Sequence, residues 1–115
     1  MRESAIQKKV TSYLRSLDYP CNKTTGAGAR GWPDITTVIN GRFVSFEMKA
    51  PGKLPTIKQQ YVGIKILKNG GIWLSYDNAE DCYDAIDYIE GLGKVTAVDY
   101  DKMPKSLQGK GVACV

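Results

Sequence analysis

The 115-residue chain contains no histidine. That excludes Ser-His-Asp triads, histidine general bases, and His-ligated zinc or iron. Catalysis in such a chain must rely on carboxylates, lysine, tyrosine, or a metal held by oxygen ligands. Cysteine is sparse: Cys21, Cys82 and Cys114 lie far apart and form no C-x-x-C pair. Neither a zinc site nor a disulfide framework is indicated, and a reducing, intracellular setting is the default. No apolar run approaches the roughly 18 residues of a membrane span, so no membrane association is expected. The opening "MRESAIQKKV" lacks an apolar h-region, so a secretory leader is not expected either. The length suits one compact domain with one core.

Charge of one sign is scarce in each part of the chain. Residues 1–76 carry 12 Lys and Arg against Glu3, Asp18, Asp34 and Glu47, a net of +8. Residues 77–115 carry 4 Lys and Arg against 8 Asp and Glu, a net of −4. A basic region of that kind suits a polyanion such as nucleic acid, although solvated surface lysine gives the same count.

The pattern predicts an amphipathic helix over 3–18, with Ile6, Val10, Leu14 and Leu17 on one face. Residues 20–33 read as a loop. Residues 34–39 and 42–49 read as two strands joined by Asn40-Gly41, the strongest short hairpin signal. A helix is expected over 57–68, with Thr56 as its N-cap, then a buried strand over 72–76 and an acidic helix over 79–90. The segment "KVTAVDY", residues 94–100, reads as a candidate strand. The order α-β-β-α-β-α implies an α/β fold, a mixed sheet flanked by helices. The last helix is expected to hold its negative charge away from the basic half.

The stretch "GAGARGWPD" contains a literal G-x-G-x-x-G at Gly26, Gly28 and Gly31. A dinucleotide fingerprint needs a hydrophobic strand before it and a helix after it, because the helix N-terminus receives the pyrophosphate. Here "NKTT" precedes it, and Trp-Pro-Asp and a strand come after it, so no nucleotide cofactor is expected. The better reading is a loop beside a site, with Arg30 free to approach phosphates.

A two-residue Asn-Gly turn pairs Ile39 with Arg42, and counting back places Asp34 opposite Glu47. Like charges so placed are destabilising unless a cation sits between them, and Mg²⁺ does that well. Lys49 lies two residues beyond Glu47 and projects from the same face. Ile35, Val44, Phe46 and Met48 on the other face read as core. An ordinary polar outer face, with Lys49 neutralising the acids, fits the same residues. Glu3 falls within the apolar stripe of the first helix, where a carboxylate needs a partner, although first-turn acids also suit the helix dipole. Gln59, three residues after Thr56, completes a capping box or contacts a site at the helix N-terminus.

Glu3 on a first helix, Pro33-Asp34 at a strand start, Glu47-Met48-Lys49 on the next strand and Gln59 on the next helix together resemble the PD-(D/E)XK nuclease pattern. More narrowly the chain resembles the VRR-NUC domain, including its small stand-alone phage and bacterial members. The resemblance covers about residues 1–91 and leaves 92–115 as a C-terminal extension. It implies a restriction-endonuclease-like core and a Mg²⁺- or Mn²⁺-dependent endonuclease acting on DNA, in the cytoplasm of a bacterial or phage-infected cell. Asp34 and Glu47 would be metal ligands, joined by the backbone carbonyl of Met48, with Glu3 binding directly or through water. Lys49 would orient the attacking water, and Gln59 would match the helix glutamine of the family, Gln60 being the register alternative. Lys8, Lys9, Arg30 and Lys53 are candidate phosphate contacts. Stand-alone members resemble Holliday-junction resolvases, which implies a homodimer cutting branched, four-way DNA. A flap, nick or duplex nuclease of the same chemistry, a non-catalytic nucleic-acid-binding module, and a tyrosine-nucleophile nuclease are the alternatives.

Overall fold

The computed structural model describes residues 2–24 and 30–109. The first helix, α1, spans Glu3–Ser16 and buries Ile6, Val10 and Leu14 at helical spacing. Strand β1 (Cys21–Lys23) comes next, then β2 (Ile35–Ile39) and β3 (Arg42–Met48). Helix α2 covers Ile57–Lys68, β4 Ile72–Tyr76 and α3 Ala79–Gly91. The four strands form one sheet in the order β1-β2-β3-β4. β1, β2 and β3 pair antiparallel, and β3 pairs parallel with β4 through the α2 crossover. This is the α/β architecture that the sequence implies, a mixed sheet flanked by helices.

Two expectations are corrected. Residues 20–33 are not all loop, because Cys21–Lys23 pairs with the edge of β2 from Thr37 back to Ile35. A strand therefore does precede the glycine-rich stretch. Gly26 and Gly28 lie outside the described residues, and Gly31 leads into β2 rather than into a helix, so the dinucleotide context still fails on that side. Residues 94–100 form no strand. The tail instead makes 3-10 turns at Tyr100–Lys102 and Lys105–Leu107.

The turn dictates the β2–β3 register. Asn40 and Gly41 both have positive φ, 50° and 85°, the twist that a two-residue hairpin needs. Ile39 then pairs with Arg42, Val38 with Phe43, Thr36 with Ser45 and Ile35 with Phe46. The tail locks this turn: Val95 N–H donates to the Asn40 carbonyl at 2.9 Å, and Arg42 Nη1 donates to the Gly93 carbonyl at 2.6 Å. A Cβ at Gly41 would run into the Val95 carbonyl. We predict that Gly41→Ala lowers stability by about 1–3 kcal/mol, from the left-handed backbone and the clash together. A urea midpoint equal to that of the wild type would contradict this.

The core lies on one face of the sheet. Val44, Phe46 and Met48 of β3 and Ile35 and Ile39 of β2 are fully buried there with Ile6, Val10, Leu14, Cys82 and Ile86 of α1 and α3. Helices α1 and α3 pack together, and Tyr13 of α1 and Tyr19 just beyond it bond to α3: Tyr13 Oη donates to Asp87 at 2.5 Å and Tyr19 Oη to Glu90 at 2.6 Å. Two acids of α3, Asp87 and Glu90, thus face the N-terminal half of the chain. Helix α2 covers the opposite face, which turns the side chains of β3 at 45 and 47 from an outer face into an interior.

Candidate active site

Strand alternation sends Glu47 away from Phe46 and Met48, toward α2. There it is completely buried, at 0% exposure. Gln59, in the first turn of α2, donates from Nε2 to Glu47 Oε1 at 3.0 Å. Its own Oε1 accepts from the Thr56 N–H at 2.8 Å, while Thr56 Oγ1 accepts from the Gln59 N–H at 3.2 Å. Gln59 therefore caps α2 and contacts Glu47 at once. Gln60 turns elsewhere and donates to the Pro55 carbonyl at 3.0 Å.

Asp34 sits one residue before β2, behind the buried Pro33. Its carbonyl accepts from the Thr24 N–H at 2.7 Å, so β1 helps to hold its backbone. Its carboxylate Oδ2 accepts from the Met48 N–H at 3.0 Å. The Met48 side chain is in the core, so only its backbone takes part. Asp34 thus stands beside Glu47, as extension of the hairpin register requires. The effect on Glu47 is large: its pKa rises from 4.5 to about 8. Burial is the first cause and the charge of Asp34 the second. Glu3 adds to the rise, and Lys49 opposes it.

Lys49 emerges at the end of β3, where its N–H donates to the Tyr76 carbonyl at 2.9 Å. Its ammonium lies 3.8 Å from Glu3 Oε1, with the lysine side chain 13% exposed and the glutamate 45%. The apolar stripe of α1 does carry Glu3 to this end of the sheet, and its partner is Lys49. The structure therefore brings Glu3, Asp34, Glu47, Lys49 and Gln59 into one connected cluster.

The donor set fits a hard cation at the Asp34–Glu47 pair. Glu47 Oε2 is buried with no hydrogen-bond partner, and the neighbouring carboxylate raises its cost of ionisation. Among the described residues no group of three His, Cys, Asp or Glu side chains is placed to hold a metal ion. Glu3 engages Lys49 instead of closing such a group.

The candidate phosphate contacts are dispersed. Lys8, Lys9, Arg30 and Lys53 are all exposed. Lys8 lines a shallow cleft with Arg15 and Lys23, and Lys9 lines another with Tyr13 and Tyr83. Lys23 lies on β1, and Arg15 stands at i+7 from Lys8 on α1. No helix among the described residues is long and apolar enough to cross a membrane.

No protein-family model matches the chain. A curated phage protein, "Putative nuclease p44" of Acyrthosiphon pisum secondary endosymbiont phage 1, is 37% identical over 57 residues. The match spans 49% of this chain and 61% of the length of that protein. A solved structure described as a VRR_NUC domain protein superposes with a TM-score of 0.72 at 17% identity, over 85% of this chain and 95% of that one. The resemblance to VRR-NUC domains drawn from the sequence is borne out in the fold.

Proposed function

We propose that this chain is a metal-dependent DNA endonuclease of the VRR-NUC type, hydrolysing phosphodiester bonds at the Asp34–Glu47 pair. One observation carries the reading: a fully buried glutamate with an unpartnered oxygen stands beside a second carboxylate, at the sheet end that also presents a lysine. A structural carboxylate would find partners for both of its oxygens. The phage nuclease name and the VRR_NUC fold support the same reading.

In this proposal Asp34, Glu47 and the backbone carbonyl of Met48 would hold Mg²⁺ or Mn²⁺, with Glu3 assisting directly or through water. When bound, such a cation would lower the pKa of a water and offset charge developing on the scissile phosphate. Gln59 fixes one oxygen of Glu47 and leaves the other for the cation. Lys49 orients the attacking water and faces the phosphate, and Glu3 steadies its ammonium. Residues 1–91 form the nuclease unit and 92–115 an extension, of which Gly93 and Val95 brace the hairpin turn. Tyr13, Tyr19, Tyr76 and Tyr83 are disfavoured as nucleophiles, because Tyr13 and Tyr19 are pushed up to about 12 and Tyr76 and Tyr83 are also raised. An activated nucleophile needs the opposite shift.

Lys49→Ala should leave metal binding largely intact and slow cleavage about 10²-fold or more, as loss of an electrostatic or positioning group does. Calorimetry showing lost metal affinity, with an unchanged rate per bound metal, would contradict that role.

The proposed assembly is a homodimer that cuts four-way junctions in the cytoplasm. A junction needs two cuts on opposed strands, and a two-fold dimer presents two identical sites. Lys8, Lys9, Arg30 and Lys53 contact phosphates, so binding should fall steeply with salt. Light scattering should give twice the 12.7 kDa chain mass, and junction DNA should be bound more tightly than duplex of equal length. A monomer that cuts junction, flap, nicked and duplex DNA equally would remove the resolvase reading and leave a general nuclease.

A further inference from the structure

The stripe of α2 that delivers Gln59 to Glu47 continues away from the metal pair as Val62, Ile66 and Asn69, at helical spacing. Beside it runs a groove of about 590 Å³, lined by Trp32, Phe43, Tyr61, Val62, Lys65 and Asn69. Three of these are aromatic and lie open to solvent: Trp32 is 44% exposed, Phe43 37% and Tyr61 61%. Phe43 shares the sheet face of Glu47, two alternations away, and Trp32 is two residues from Asp34. The loop bearing Trp32 is seated directly on α2, because a Cβ at Gly31 would come within 2.9 Å of Lys58 and 3.1 Å of Val62. Nothing in the proposed chemistry uses these aromatic faces.

We propose that this groove receives an unpaired nucleobase of the DNA, next to the cleaved phosphate. The inference rests on the nuclease reading and deepens it, by naming an unstacked base as part of the substrate. Bases drawn out of a helix stack on aromatic side chains, and each such contact strengthens binding without demanding a particular sequence. Charge selects this occupant. Helix α2 carries Lys58, Lys65 and Lys68 and no carboxylate, and Lys65 Nζ already lies 5.3 Å from the centre of the Tyr61 ring. A cation poised over an aromatic platform suits a base with its phosphate attached. A second copy of the chain suits it poorly. Across a two-fold axis the same surface would face itself, two copies of a helix that carries three lysines and no carboxylate, with no opposite charge to pair them. Asn69 Nδ2 donates to the Lys65 carbonyl at 2.9 Å, and its Oδ1 can accept from a base edge.

The test places 2-aminopurine, a fluorescent adenine analogue, either unpaired at a single-nucleotide bulge or paired within duplex DNA of equal length. Binding to the full chain is followed in EDTA, so no cutting is required. The bulged probe should be quenched on binding and the paired probe should not. Tyr61→Ala and Trp32→Ala should each weaken binding of the bulged probe about tenfold, and Tyr61→Phe should restore it. Tyr61 is exposed enough for its variants to fold, so they decide the matter if Trp32→Ala does not fold. Equal quenching of both probes, or bulge affinity unchanged in Tyr61→Ala, overturns the proposal. So does a halved mass in light scattering for Tyr61→Ala with bulge affinity unchanged, which would assign the groove to a second copy. Quenching without any metal-dependent cleavage would instead remove the nuclease reading and leave the base site standing.

Discussion

Glu47→Gln should make the metal-free protein more stable than wild type at pH 8, and the advantage should vanish at pH 5. The Glu47 carboxyl rises from 4.5 to about 8 on folding, through burial first and Asp34 second. A folded pKa above the unfolded one means that the native state holds the proton more tightly. The associated stability is present in full below pH 4.5 and is lost as the pH climbs through 8. Over that window the wild type should lose on the order of 4 kcal/mol, at about 1.4 kcal/mol for each pH unit between the two pKa values. The Gln amide keeps the shape and can accept from Gln59, but it does not titrate. Urea melts in EDTA at pH 5, 6, 7 and 8 should therefore show a falling wild type and a flatter variant. Parallel slopes would show that Glu47 ionises as freely in the fold as out of it. Added Mg²⁺ should recover stability in the wild type at pH 8, about 2.7 kcal/mol at one hundred times its dissociation constant, and not in the variant.

Asp34→Ala should reduce cleavage by at least about 10³-fold, because it removes a charged ligand and the partner that tunes Glu47. Its effect on stability is a contest. The neighbouring charge that opposes Glu47 ionisation disappears. The Met48 N–H also loses its acceptor, Asp34 Oδ2. An orphaned buried donor costs about 1–3 kcal/mol, enough to offset the relief. Asp34→Asn separates the two terms, since its amide oxygen can still accept from Met48. Asp34→Asn should melt above Asp34→Ala at pH 8, with both inactive. Cleavage at wild-type rate by Asp34→Ala with Mg²⁺ would show that the site lies elsewhere.

Most of this frame is legible in local signals. Asn40-Gly41 sets the register that brings Asp34 and Glu47 side by side, and the Thr56 cap and Asn69-Gly70 stop bound α2 at the expected residues. What is hidden is what depends on distant partners. β1 is three residues, Cys-Asn-Lys, whose strand character comes from the free edge of β2. No local propensity marks such a segment. The burial of Glu47 comes from α2 lying over a face that alternation alone presents as outer. The two readings of Gln59 look exclusive in sequence, yet a glutamine has an oxygen for one and a nitrogen for the other. Tyr61 sits at a helix position that suits core or surface equally, and only the fold leaves it open.

The most direct test incubates labelled four-way junction and duplex DNA with wild type and Glu47→Gln, each in Mg²⁺, Mn²⁺ or EDTA. Cleavage is expected from the wild type with either metal, none in EDTA, and none from the variant under any condition. Cleavage by the wild type in EDTA, or by Glu47→Gln at the wild-type rate, would contradict a metal-dependent nuclease centred on Asp34 and Glu47.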